Sequence, residues 1–384
     1  MTTNRTPPPA AQRQAGKLAQ FLRKNTVFVI ALLAAVVTAF FVPPDAQYLS
    51  YFDWKTLSCL FCTLAVICAL RNIHFFTVVA HKIVGMTGNI RRAIIAIIMI
   101  TFIGSMLIAN DMALLTFLPL GYHVLASSGQ KKHMVFTFIM QNIGANLGGM
   151  LTPFGNPQNL YLYNKFQIPT AKFMGIMAIP FAAAIFLILV CCLILIRPEP
   201  IRVENQEDDR LPVGRTVLYL LLFAFSIVIV FRLIPYYIGL IVIPAVLLFA
   251  DRKALRNVDY FLLLTFACFF VFSGNMARID GVNRVLSSLM AKNPLIVSIL
   301  SCQVISNVPS AILLSGFTTE YRALLYGVNI GGTGTLIASL ASLITFRQYT
   351  ALEPAGTKRY LGVFTLLNFL FLAVMTGVCV LLLQ

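Results

Sequence analysis

The sequence predicts an all-α polytopic membrane protein of two inverted repeats, each with a re-entrant hairpin and a broken helix, with about nine full spans plus two hairpins. Three observations predict it. Apolar runs of about 18 residues or more recur along the chain. Lys and Arg cluster at alternating ends of those runs, and an Asn-centred pattern of breaks occurs twice.

Hydrophobic residues make up 59% of the chain and charged residues 11%, with mean hydropathy +0.86. A soluble domain of this length needs far more charge to cover its surface. The runs 26–42, 174–196, 216–234 and 361–383 are each long enough to cross a hydrocarbon core. The formal charge of +16 raises nucleic acid as a partner, and its placement argues against it. Arg5, Arg13, Lys17, Arg23 and Lys24 precede the first run, Arg71, Lys82, Arg91 and Arg92 follow the second, and Arg252, Lys253 and Arg256 form a third cluster. Short basic loops at alternating ends are the positive-inside signature. The lipid bilayer of the plasma (inner) membrane is therefore the expected environment, with the N-terminus cytoplasmic. All eight cysteines lie in or beside apolar runs, and the Cys59/Cys62 pair lacks a second pair or a nearby His, so they read as small hydrophobes. His74, His81, His123 and His133 are scattered and receive no role.

Residues 1–25 are polar and rich in Pro, Gln and Ala, and are expected to be a disordered cytoplasmic tail. Spans at 26–43 and 54–70 are joined at Pro43-Pro44-Asp45, and 71–86 alternates at helical spacing as an interfacial arm. The segment 91–127 is broken at Asn110-Asp111 and flanked by Arg91 and Arg92 on one side and by Lys131, Lys132 and His133 on the other. Two full crossings and a re-entrant hairpin both put these flanks on one side. The polar tip favours the hairpin. A helix to about 151, an interruption at Thr152-Pro153-Phe154-Gly155-Asn156-Pro157 and a long span complete a first repeat, 26–196. Glu204, Glu207, Asp208 and Asp209 mark 197–215 as a cytoplasmic linker. The second repeat, 216–384, has spans near 216–234, 237–250 and 259–274, an arm at 277–292 and a hairpin at 295–317 broken at Ser306-Asn307-Val308-Pro309-Ser310. A segment interrupted at Gly331-Gly332-Thr333-Gly334-Thr335 and a last span follow.

The repeat shows in the residues themselves. The stretch from Ser105 to Asn110 matches that from Cys302 to Asn307, and Asn146-x-Gly148-Gly149-x-x-Thr152 matches Asn329-x-Gly331-Gly332-x-x-Thr335. The basic loop at 252–256 puts the second hairpin in the opposite direction to the first. Two broken elements facing each other at midplane form a two-sided site that can open either way. A helix broken in hydrocarbon frees backbone groups at a cost of several kcal/mol each unless something pairs them. Freed carbonyls suit a small cation, and N–H groups at half-helix starts suit an anion. Gly pairs alone read as helix packing and Pro alone as a kink, but Asn, Gly-Gly, Thr and a break coincide in both halves. Asp111 lies mid-run with no Lys or Arg within a turn of it in sequence, which marks a functional carboxylate, while Val308 holds the matching place. Pairing with a distant Arg, or a tip that reaches an aqueous edge, is the structural alternative. The candidate site is Asn110, Asp111, Asn146, Gly148, Gly149, Thr152, Gly155, Asn156, Ser306, Asn307, Asn329, Gly331, Gly332, Thr333 and Thr335.

Ala109-Asn110-Asp111, the run from Leu151 to Leu160, and Ser306-Asn307-Val308-Pro309 resemble the ion transporter superfamily of arsenite permeases, citrate-transporter-like anion permeases, sodium/proton antiporters and divalent anion:sodium symporters. The resemblance covers nearly the whole chain after residue 25. It implies two opposed hairpins tipped by Asn, transport of a small anion, a coupling Na+ or H+ with no other cofactor, Na+ near Asn110, Asp111 and Asn307, and a homodimer with an elevator motion. In the symporters each tip reads Ser-Asn-Thr. Asn110, Ser306 and Asn307 match that pattern, whereas Ala109, Asp111 and Val308 depart from it and resemble the arsenite-permease side. The expectation is an ion-coupled anion permease, with an arsenite efflux permease, a sodium/proton antiporter and a channel as alternatives. No nucleophile–base set marks an enzyme in the spans.

Overall fold

The computed structural model describes residues 25–201 and 211–384. Residues 1–24 of the predicted N-terminal tail and residues 202–210 of the 197–215 linker fall outside the described residues. Every regular element among the described residues is a helix. In chain order these are α1 (Thr26–Phe41), α2 (Trp54–Asn72), α3 (Phe75–Gly85), α4 (Ile90–Ile108), α5 (Asn110–Ser127), α6 (Met134–Gly148), α7 (Pro157–Lys165), α8 (Thr170–Leu195) and α9 (Val213–Val230). They continue as α10 (Tyr236–Ala250), α11 (Arg252–Arg256), α12 (Tyr260–Arg278), α13 (Asp280–Lys292), α14 (Pro294–Ile305), α15 (Asn307–Leu314), α16 (Tyr321–Ile330), α17 (Leu340–Leu352) and α18 (Thr357–Leu383). Short 3-10 turns link some of them.

Six described helices are long and apolar enough to cross a membrane: α2, α4, α8, α9, α12 and the last helix. Large apolar side chains such as Phe40, Phe186 and Phe249 are exposed on the outer helices, as a lipid-facing surface requires. Helix starts are specified locally. Asp53 caps α2 through Thr56 N at 2.9 Å, Asn89 caps α4 through Arg92 N at 2.9 Å, and Asn293 caps α14 through Ile296 N at 3.1 Å. Pro157 and Pro294 stand at the first position of their helices, where a missing N–H costs nothing.

The same sequence of elements occurs twice. A long helix and a short one (α2 and α3, then α12 and α13) precede a helix pair (α4 and α5, then α14 and α15). A helix, a non-helical break and another helix follow (α6 and α7, then α16 and α17). Each pair turns on one residue. Ala109 has φ 64° and ψ 153°, and Ser306 has φ 74° and ψ 160°. This region belongs almost wholly to glycine and costs a side chain about 1–3 kcal/mol. Two non-glycine residues share it at matching sequence places.

Packing interleaves the two sets. α4 lies along α6, and α14 lies along α16. Across the sets, α5 packs on α17 and α15 packs on α7, so each pair leans on the helix that follows the other set's break. The buried core runs continuously through both sets, and a second, smaller cluster fastens α3 to α4 and α5. At one end, Arg278 of α12 donates to Asp45 at 2.7 Å and to Tyr51 at 3.0 Å. At the start of α4, Ile90 N donates to Glu199 O at 2.9 Å, while the Glu199 carboxylate takes Gln130 at 2.9 Å and Lys132 at 2.8 Å.

Candidate functional site

Breaking α6 from α7 and α16 from α17 leaves carbonyls without helical partners, and amide side chains pair them. In the first break, Asn159 Nδ2 shares its hydrogens among Gly149 O at 3.2 Å, Met150 O at 3.1 Å and Thr152 O at 3.4 Å. In the second, Gln303 Nε2 donates to Gly331 O at 2.9 Å and Thr333 O at 3.2 Å, while its Oε1 accepts Thr335 N at 2.8 Å. The five carbonyls named here are already paired with a side-chain amide. Each unpaired buried carbonyl would cost about 1–3 kcal/mol, which gives Asn159 and Gln303 their structural value.

Thr152 and Thr335 make the same contact in their own sets. Thr152 Oγ1 donates to Met106 O at 3.1 Å, and Thr335 Oγ1 donates to Gln303 O at 3.2 Å. Both acceptors stand three residues before the strained turn residue, Ala109 or Ser306. The glycines explain how close the break comes to the helix pair. A Cβ on Gly148 would strike Phe102 O and Ser105 Oγ, and one on Gly331 would lie 2.9 Å from Cys302 Sγ. Ser105 and Cys302 are the matched positions of the sequence repeat. Gly155 is packed on Thr152 Oγ1 and Gly149 O, and Thr333 Oγ1 turns back to Ile330 O at 2.6 Å.

The two tips and two breaks meet in a buried cluster of asparagines. Asn110 Nδ2 donates to Asn146 Oδ1 at 3.4 Å, and Asn146 Nδ2 donates to Asn142 Oδ1 at 3.3 Å. Asn142 Nδ2 reaches across to Ser342 Oγ of α17 at 3.2 Å. A Cβ on Gly332 would lie 3.1 Å from Asn307 Nδ2 and 3.4 Å from Asn146 Oδ1, so any side chain there would press the Asn307 amide away by a few tenths of an ångström. Asn156 Nδ2 donates to Asn329 Oδ1 at 3.5 Å, Asn329 Nδ2 donates to Asn159 Oδ1 at 2.7 Å, and the Asn156 amide rests on Gly149. Asn307 Oδ1 accepts Val308 N at 2.9 Å, and Ser306 Oγ donates to Ala338 O at 3.3 Å.

Asp111 sits beside this cluster on a cavity of about 50 Å³ shared with Asn110, Asn156, Thr63, Met112 and Asp259. Its Oδ1 is enclosed and unpaired, as is Asn156 Oδ1. Among the described residues no Lys or Arg forms an ion pair with Asp111. Asn307 does not line this cavity; it lies on the Gly332 side of the cluster. The structure thus brings Asn110, Asn146, Asn156, Asn307, Asn329, Gly149 and Gly332 together, with Asp111 beside them. Thr152, Thr333 and Thr335 serve as fasteners of the breaks. Asn142, Asn159, Gln303 and Ser342 were not singled out from the sequence. Asn142 stands one turn before Asn146 on the same helix face, a signal that the repeat pattern alone does not weigh. Gln158 is 1% exposed with both amide atoms unpaired, and belongs to the same break.

Comparison with known proteins gives this arrangement a setting. The family model described as citrate transporter matches residues 18–320. An uncharacterized transporter of Methanocaldococcus jannaschii is 34% identical over 304 residues, which cover 77% of this chain and 81% of that protein. The inner membrane protein YbiR of Escherichia coli is 28% identical over 337 residues, covering 85% of this chain and 88% of that protein.

Proposed function

The chain belongs to the citrate transporter family of membrane transporters, and from that membership we propose that it is a secondary active, ion-coupled permease for a small anion. The inner-membrane name of its relative YbiR supports a plasma-membrane location. One observation carries the reading: two strained tips and two helix breaks meet in a single buried amide cluster that bridges the two sets of elements. In this reading the sets are inverted repeats, and each helix pair is a hairpin entering from its own side. α14 and α15 have 12 and 8 residues, well short of the ~20 that a crossing needs, whereas α4 and α5, with 19 and 18, are of crossing length and are read as a hairpin by their match to the second pair.

The chemistry divides between the two sides of the cluster. Asn110 opens α5 and Asn307 opens α15, so two helix N-termini point at the centre, although the first N–H groups of α15 are already taken by Ala338 O, Asn307 Oδ1 and Ser306 O. Such termini favour a carboxylate or similar anion. The unpaired Nε2 of Gln158 is a further donor. Asp111 and Asn156 present unpaired oxygens to the small cavity, and oxygen ligands suit a hard cation. A lone carboxylate away from water is costly unless a proton or a cation accompanies it. H+ or Na+ at Asp111 therefore neutralises the site in step with anion binding.

The test is uptake of radiolabelled citrate into proteoliposomes under imposed proton and sodium gradients. Wild type is expected to accumulate citrate under one gradient. Asp111→Asn keeps the size of the side chain, and is expected to lose accumulation at least about tenfold while exchange survives. Unchanged gradient dependence in the mutant would move coupling away from Asp111. Voltage-driven conductance without saturation would make the protein a channel.

A further inference from the structure

A second cavity lies between the end of α2, α3 and the outer half of α5, with a volume of about 670 Å³. That is within the range of small-molecule sites, about 300–1,000 Å³. Its lining is cationic. Arg71, His74, His81 and His123 face it, with the hydroxyls of Thr77 and Thr116 between them, and no Asp or Glu lines it. Among the described residues no carboxylate pairs with Arg71. Its Nη1 instead rests on Met112 Sδ at 3.3 Å, a weak acceptor for the strongest donor in the chain.

Met112 is the link between the two cavities. It also lines the small cavity beside Asp111, while Leu115, Thr116, Pro119 and His123 of the same helix line the larger one. α5 therefore runs from the candidate site along the wall of the cationic chamber, and the Arg71–Met112 contact stands where the two spaces approach. An imidazole offers an N–H donor whether neutral or charged, and a guanidinium is always charged, so the lining suits an oxyanion in either histidine state. His74 holds its position through a left-handed backbone, φ 56°, which turns α3 away from α2. Histidine is among the residues that tolerate that region.

We propose that this chamber is a second anion site, an antechamber for a small di- or tricarboxylate. Arg71 anchors the anion, and His74, His81 and His123 add donors around it. A carboxylate is a far better partner for Arg71 than a thioether, so binding exchanges the two. The flexible Met112 side chain is then released from the partition between the chambers. On the topology proposed above, this chamber opens to the cytoplasm, because it holds the basic end of α2. The proposal needs neither Asp111 coupling nor a particular direction of transport.

The experiment is equilibrium binding of radiolabelled citrate to the purified full chain in lipid nanodiscs, with sulfate as competitor. Wild type is expected to bind two equivalents. Asn110→Ala with Asn307→Ala removes the donors at the tips and should leave one, which sulfate displaces. Adding Arg71→Gln should weaken that remaining equivalent at least about tenfold, the effect of one lost charge-assisted contact. Adding instead His74→Asn, which keeps a residue that tolerates the left-handed backbone and shortens the donor's reach, should weaken it about threefold. The proposal is overturned if the tip variant binds no citrate, or if both chamber variants bind as tightly as their parent. Wild type that transports citrate yet binds a single equivalent would also overturn it, while leaving the transport reading intact. Failure of wild type to bind either citrate or sulfate would overturn it too.

Discussion

Ala109 and Ser306 hold a backbone conformation that disfavours any side chain, yet both stand where the chain turns into the asparagine that opens the next helix. The turn delivers Asn110 and Asn307 to the buried cluster. Glycine would fit the conformation without strain, but it would also loosen the turn in the unfolded and alternative states. Ala109→Gly and Ser306→Gly are therefore expected to keep or raise the thermal midpoint, by no more than about 1 kcal/mol in stability. Ala109→Val places a branched side chain in the same strained region and should lower stability by about 2 kcal/mol or more. Thermal unfolding of purified protein in detergent measures both. A valine variant as stable as wild type would mean that the turn relaxes at no cost. The position of Asp111 was legible at this scale, because one acid in an apolar run stands out by itself. Asn159 and Gln303 were not legible. An amide beside a break looks the same in sequence whether it pairs backbone carbonyls or faces a ligand, and only the distances separate the two.

At the scale of elements, the breaks were readable because Pro and Gly-Gly interrupt apolar periodicity, and the structure has non-helical chain at 149–156 and 331–339. How the helix pairs are held was not readable, since it depends on a residue far away in sequence. Glu199 follows α8, and it fastens the start of α4 through its carbonyl and the α5–α6 connection through its carboxylate. Both ends of the α4–α5 pair are thereby tied to one short segment. The Lys132 ammonium and the Gln130 amide hold the Glu199 carboxyl below its ordinary value. A depressed folded-state value means that the stabilisation is fully present above the ordinary carboxylate range and is lost as pH falls through the folded value. Glu199→Gln should accordingly lower the thermal midpoint by less than about 2 °C at pH 7, since the pair is exposed. That difference should vanish as the pH is taken down through the carboxylate range. A difference that stays constant with pH would assign the effect to the hydrogen bond with Gln130 alone.

At the scale of the whole molecule, the sequence repeat and the packing agree on which elements correspond, since Thr152 and Thr335 reach matched carbonyls and Gly148 and Gly331 meet matched side chains. The direction of each set across the bilayer rests on charge. Arg71, Lys82, Arg91 and Arg92 surround α3, while in the second set Arg252, Lys253 and Arg256 precede α12 and Arg278, Arg284 and Lys292 stand at its other end and along α13. If the basic segment around α3 and the 252–256 loop are both cytoplasmic, α12 carries the chain across and α13 lies on the outer side. The two sets are then inverted, which is what lets one central site open in either direction. Met86, 87% exposed just after α3, and Val285, 58% exposed on α13, are the positions that decide it. The native cysteines lie within the helices, six of them buried, and give little background. A membrane-impermeant maleimide applied to intact cells should label Val285→Cys and not Met86→Cys, and inside-out vesicles should give the reverse. Labelling of both from one side would make the two sets parallel. It would then remove the geometric basis for alternating access, even with the amide cluster intact.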